Sequence, residues 1–319
     1  MNANSELLKL RKIKLNWINF LKLILFTCFI WFFSIQIMHI SLTDFGKLKI
    51  TNPFLLISAV SLMFLNWGVE FLKWKVVVNS LNFPISNQAL AKSFFAGIAT
   101  SIATPNRFGN FIGRVMYMPK SHRIKLIFGT LYANFSQFLS TIYIGVVALF
   151  YCFNSVYSNI WIYISIMLFL FIVTLIYFVF PFLPVEKMKL FNKRKQIIGF
   201  LRRVNRKISL KIFFMSLIRY AIFLLQYVFL LLAFDDLEFS LELLMAISLV
   251  FMVSTLLPSF LISKIFVRES LSLLFLGSLV LNPANILASS ISLWLLNLAL
   301  PGLLGLFFVL RCNRISDVY

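Results

Sequence analysis

Residues Thr104 to Arg114 read TPNRFGNFIGR, which sets a proline, two asparagines, two glycines and two arginines side by side in a chain otherwise crowded with Phe, Leu and Ile. If a helix starts at Asn106, then Arg107, Asn110 and Arg114 fall at i, i+3 and i+7 and share one stripe. Two guanidinium groups on one stripe suit a phosphate: the planar fork matches phosphate oxygens in pairs, and a fresh helix start adds N–H donors and a positive dipole end. Gly109 and Gly113 form a small-xxx-small face that lets another backbone come close. The same arginines could instead snorkel to the headgroup layer, or form a structural ion pair with Glu70.

Glu70 is the first half's only acid expected inside a membrane-spanning run, and Asn66, Lys73 and Trp74 share its helical face. Lys73 at i+3 is its local partner and a hairpin arginine its distant one. In the second half Lys264 and Arg268 stand four apart, and Glu269 follows Arg268. Glu269 is the expected partner of Arg219, which has no acid on its own helix. Asn134, Gln137 and Thr141 form a further polar stripe, read chiefly as helix-packing contacts, with Gln137 also a headgroup ligand. The expected headgroup site is therefore Asn106, Arg107, Asn110, Arg114, Glu70, Lys73, Gln137, Arg219, Arg268 and Glu269.

Bond-making chemistry has little support. His39 and His122 lack metal-ligand neighbours, and there is no H-E-x-x-H, G-x-S-x-G or G-K-[ST] run. Cys28, Cys152 and Cys312 are far apart and form no C-x-x-C pair. No metal, cofactor or enzyme activity is expected. The alternatives are an accessory scaffold for a lipid- or glycan-modifying membrane enzyme, and a polyprenyl-phosphate transferase with Glu70 as base. The net charge of +20 lies beside apolar runs rather than in a folded basic module, so nucleic acid is not an expected partner.

What must position these residues is a membrane bundle. Hydrophobic residues make up 61% of the chain and charged ones 13%, with a mean hydropathy of +0.93, far from soluble-domain usage. The expectation is a single all-α polytopic membrane domain over 1–319. Crossing roughly 30 Å of hydrocarbon takes about 20 apolar residues. Six such runs are read, at about 19–40, 53–74, 125–152, 157–183, 210–234 and 284–311. The first follows a basic leader but is too long for a signal peptide, so it is expected to stay as an anchor.

Two further apolar pieces, about 88–118 and 240–281, are broken by polar residues around Thr104, Pro105 and Asn106 and around Pro258. They read as helix-break-helix hairpins, because proline removes a backbone donor and disfavours helix before it. Thr104, Pro105, Gly109, Gly113 and Pro258 are the break residues. Lys and Arg concentrate in the leader, the 73–75 and 120–125 connections, a basic loop at about 184–209 and the tail. This places both termini in the cytoplasm. The order helix, broken hairpin, helix occurs twice, over about 53–152 and 210–311, and is read as an inverted repeat with its substrate site near the midplane.

At these residues the chain resembles the flippase-like membrane domain of lysylphosphatidylglycerol synthases, in its stand-alone bacterial form. The resemblance is carried by E-x-x-K-W (Glu70, Lys73, Trp74), T-P-N-R-x-G-x-x-x-G-R (Thr104 to Arg114), S-Q (Ser136, Gln137) and P…V-R-E-S (Pro258, Val267 to Ser270). It implies a multi-span protein of the bacterial cytoplasmic membrane that binds an anionic or phosphate-containing lipid and moves it between leaflets. Asn110 stands where such sequences commonly have Glu, and Phe266 where a Gly often precedes V-R-E. No soluble synthase domain is read, so aminoacyl transfer is not expected.

Overall fold

The computed structural model describes residues 27, 31, 34, 35, 38, 42–102, 104, 108–153, 160–179, 204–257, 261–280 and 282–311. Most of the first expected span, most of the basic loop, and Pro105, Asn106, Arg107 and Pro258 lie outside them.

The described elements are all helical. A short α1 (Leu42–Gly46) precedes α2 (Pro53–Asn79), α3 (Asn87–Ile102), α4 (Gly109–Met116), α5 (Arg123–Cys152) and α6 (Ile160–Val179). Then come α7 (Arg206–Phe234), α8 (Leu241–Leu256), α9 (Leu261–Leu276) and α10 (Pro283–Arg311). Four of them, α2, α5, α7 and α10, are 27 to 30 residues long and apolar enough to cross a membrane; at about 1.5 Å per residue each exceeds the hydrocarbon thickness. Their starts are written locally. Asn52 and Asn282 cap α2 and α10 through their side-chain oxygens, each followed by proline at the first helical position, and Asn205 caps α7.

The two broken pieces form α3–α4 and α8–α9, each an arm, a break and a second arm. In the first, Thr104 works across the break: its hydroxyl donates to Thr100 O (3.0 Å) and accepts from the Gly109 N–H (2.5 Å). Thr100 in turn donates to Gly109 O (2.6 Å). The N–H and C=O of Gly109, just past the break, are thus both bonded within the hairpin, as an apolar surrounding requires. The glycines make this approach possible. A β-carbon on Gly109 would collide with the Thr100 carbonyl, and one on Gly113 with Thr100 Oγ1 and the Ala96 carbonyl.

Contacts between helices repeat with the halves exchanged. The lead helices α2 and α7 pack against each other, and they do so antiparallel: Thr51 N–H bonds Ala233 O, Gln226 Nε2 bonds Ala59 O, and Arg219 Nε bonds Asn66 Oδ1. Arm α3 packs on the closing helix α10 of the other half, and arm α8 on the closing helix α5 of the first. Each of these crossings is seated on glycine, Gly305 against Phe95 and Gly145 against Met252. Three apolar clusters result, two of them large and a smaller one around Ile142, Leu249 and Met252. Trp74, Val78, Phe94, Leu126 and Leu139 anchor one large cluster; Tyr227, Leu231, Ile247, Val250 and Leu276 anchor the other.

Candidate functional site

Between the two large clusters lies a cavity of about 330 Å³ whose lining includes Glu70 and Asn66 of α2, Asn110 and Arg114 of α4, Gln137 of α5, Arg219 of α7, Arg268 of α9 and Asn297 of α10. Gln137, Arg219 and Asn297 each sit at the middle of a membrane-length helix.

Glu70 is the hub. Its Oε2 lies 2.8 Å from Lys73 Nζ and 3.5 Å from Arg219 Nε, and its Oε1 lies 2.6 Å from Arg114 Nη2. The local and the distant partner are therefore both present. Lys73 sits behind the carboxylate, with a side chain only 1% exposed. Arg114 is held along its length: its stem occupies the space that Gly97 leaves, its Nε donates to Asn110 Oδ1 (2.9 Å), and its guanidinium lies 5.1 Å from the Trp74 ring centre and 5.8 Å from that of Phe94. Asn110 and Arg114 thus share one face of α4, as their spacing indicates.

Arg219 departs from expectation. It faces Glu70, Asn66 and Gln137 Oε1 (3.4 Å) in the first half's cluster, and it does not pair with Glu269. The reason is the antiparallel α2–α7 contact, which carries Arg219 to Asn66. Glu269 instead accepts from Ser290 Oγ (2.8 Å) and lies 3.5 Å from Arg268 Nη2, which donates to Ser290 O (2.7 Å).

All three residues of the stripe Asn134, Gln137, Thr141 line the cavity. Gln137 accepts from both Lys73 (3.3 Å) and Arg219 through Oε1, and its Nε2 donates to Ser216 O (3.2 Å). Asn297 does the corresponding work in the other half. Its Nδ2 donates to Gln226 Oε1 (2.8 Å), and its Oδ1 accepts from Asn66. Exchanging the halves swaps Asn66 with Arg219 and Lys73 with Gln226, and so turns the partners of Gln137 into those of Asn297. Among the described residues no group of three His, Cys, Asp or Glu could hold a metal.

Residues 19–309 match the family described as Lysylphosphatidylglycerol synthase TM region. The chain belongs to that family. Comparison with curated proteins and with solved structures found no match. Membership in the lysylphosphatidylglycerol synthase membrane-region family makes this a multi-pass membrane protein and suggests a role in lipid metabolism or transport. Of the ten expected headgroup ligands, six line the cavity, and Lys73 and Glu269 support two of those six from behind. Arg107 and Asn106 fall outside the described residues.

Sequence reading missed Asn297, Trp67 and Trp294, which also line the cavity. An amide at the middle of a 29-residue helix, inside the apolar run Leu293 to Leu310, was the signal for Asn297. Asn297 lies in a π-helical turn, Leu295–Ala299, just before Pro301. Proline has no N–H to give the carbonyl four residues back, and its ring presses on that carbonyl, which belongs to Asn297. The turn widens in response: the Leu300 N–H reaches Leu295 O, five residues back.

Proposed function

We propose that the protein binds an anionic phospholipid or lipid-linked headgroup in this cavity and carries it between the leaflets of a bacterial cytoplasmic membrane. The observation that carries this reading is the convergence of Arg114, Arg219 and Arg268, drawn from both halves, on one polar cavity midway along membrane-length helices. A charge at that depth costs on the order of 3 kcal/mol on insertion scales. Three arginines there call for an anion as well as the two carboxylates. A transferase would collect its polar groups at one membrane face, and a scaffold needs no such cavity.

A volume of about 330 Å³ suits a headgroup and leaves the chains outside. At the start of α4, beside the buried Gly109, Gly113 and Arg114, the side chains of its N-cap Phe108 and of Ile112 are exposed and offer an apolar track for those chains. The antiparallel lead helices and the exchanged contacts fit an inverted repeat that opens alternately to either side. The loop charges support an orientation with both termini and the 184–209 loop in the cytoplasm.

The test is leaflet redistribution of acyl-labelled phosphatidylglycerol in proteoliposomes, read with a membrane-impermeant reductant. The parent protein is expected to move label faster than empty vesicles, and Arg114→Ala to slow it to their level. Parent vesicles indistinguishable from empty ones would end the transport reading and favour an accessory role.

A further inference from the structure

The charges around the cavity do not balance, and the imbalance has a definite size. Glu70 is one carboxylate facing Lys73, Arg114 and Arg219. Lys73, enclosed behind it, is enough to neutralise it. Arg268 has its own carboxylate in Glu269. Among the described residues, then, Arg114 and Arg219 are two cations in surplus, both on the cavity wall. Their hydrogen bonds use Nε and Nη2 of Arg114 and Nε and Nη1 of Arg219. One terminal nitrogen of each guanidinium has no acceptor among the described residues.

We infer that the cavity selects a lipid whose phosphate headgroup carries two negative charges, a terminal phosphomonoester, over a phosphodiester that carries one. This rests on the reading of the cavity as a headgroup site and specifies which headgroup it takes. The physical ground is matching. A surplus of two positive charges in a low-dielectric site is offset fully by a dianion and half by a monoanion. A terminal phosphate also offers three unsubstituted oxygens, enough to meet both free guanidinium nitrogens at once, whereas a diester offers two.

The experiment uses the whole protein in nanodiscs holding equal amounts of phosphatidate and phosphatidylglycerol with identical acyl chains, and native mass spectrometry reads which lipid stays bound. At pH 7.5 phosphatidate is expected to be retained about tenfold over phosphatidylglycerol, the worth of roughly one further charge-assisted hydrogen bond. A phosphomonoester loses its second charge near pH 6, so at pH 5 the ratio should fall to within about twofold. Arg219→Gln, whose site is partly exposed, should bring the ratio to about two at pH 7.5 while the variant still retains some of each lipid, with its melting temperature checked against the parent. Equal retention of both lipids by the parent at pH 7.5, or a ratio that ignores pH, would overturn the dianion inference alone. Retention of neither lipid would overturn it together with the headgroup site.

Discussion

Gln137 and Asn297 stand at matching points of the two halves, yet one gathers cations and the other gathers amides. Gln137 joins Lys73 to Arg219; Asn297 joins Gln226 to Asn66. The same exchange puts Phe223 where the first half has Glu70, because each lies four residues beyond its Asn66 or Arg219 counterpart, and both line the cavity. The hairpin arginines follow suit. Arg114 reaches across to a carboxylate on another helix, whereas Arg268 has its acid next door in sequence and rests on a backbone carbonyl. One scaffold thus carries two chemistries: a charged, cross-linked side that ties α2, α4 and α7 together, and a neutral side whose ion pair is local. On the proposed reading the first side grips the headgroup, and the second tolerates its passage.

The largest effect should come from filling the first hairpin's glycines, because the second hairpin has no glycine between Leu241 and Leu276. In Gly113→Val the side chain meets the Thr100 hydroxyl and the Ala96 carbonyl, neither of which can yield without separating α3 from α4. No monodisperse protein is expected on size-exclusion chromatography after detergent extraction. Ser254→Ala in the second hairpin removes one hydroxyl bonded to Phe251 O; it should cost about 1 kcal/mol or less and leave the elution profile unchanged. A well-behaved Gly113→Val protein would mean that the first hairpin is no tighter than the second.

Next come the two carboxylates. Glu70→Gln strands Lys73, 1% exposed, without its counter-charge, and removing one partner of a buried pair costs about 3–5 kcal/mol. Glu269→Gln keeps an acceptor for Ser290 and gives up a longer contact to Arg268, so its cost should stay below about 1.5 kcal/mol. Thermal unfolding in detergent should separate the two variants clearly. Equal melting temperatures would mean that the hub at Glu70 has no more structural weight than the pair at Arg268.

How much of this was legible beforehand follows the same divide. Wherever recognition is local, the sequence spoke plainly: the Gly109–Gly113 face and the stripe that holds Asn110 and Arg114 both depend on neighbours within one or two turns. Glu70 drew attention because an acid inside an apolar run needs a partner. What could not be read was which helices meet. Arg219 was matched to Glu269 because both lie in the second half, but the antiparallel α2–α7 pairing sends it to the first half's cluster. Asn134 and Thr141 passed for packing residues for the same reason, since what faces α5 is decided by other helices. Asn297 was overlooked although its own helix carries both an amide near its middle and Pro301 four residues on, because its partners Asn66 and Gln226 lie on other helices.

The arginines give a middling effect that sharpens the comparison at the ligand. Arg114→Lys keeps the charge but loses the Nε bond to Asn110 and the guanidinium's contact with the Trp74 and Phe94 rings, and an ammonium cannot pair two oxygens in a plane. Retention of anionic lipid should fall roughly tenfold to a hundredfold. Arg268→Lys replaces a single strong bond to Ser290 O that an ammonium can also make, so retention should change less than about threefold. Equal losses in native mass spectrometry would show that both hairpins grip the headgroup alike.

The smallest expected effect tests the neutral side at its amide. Pro301→Ala restores the missing N–H donor and removes the ring from the Asn297 carbonyl, which lets the π-helical turn at Leu295–Ala299 relax to an α-helical one. Residues before the turn would then rotate by about one position, near 100°, relative to those after it. Asn297 could not keep its bonds to Asn66 and Gln226 while Gly302 and Gly305 stay seated against α3. The gain of a regular turn and the loss of two amide bonds, each worth about 1 kcal/mol, nearly cancel, so the melting temperature should move by only a few degrees. Lipid retention should stay within about twofold, because the surplus cations are untouched. Leaflet redistribution, if the neutral side is what lets the headgroup pass, should slow while retention holds. A variant that instead lost lipid as Arg114→Lys does would put Asn297 among the gripping residues and erase the chemical division between the halves.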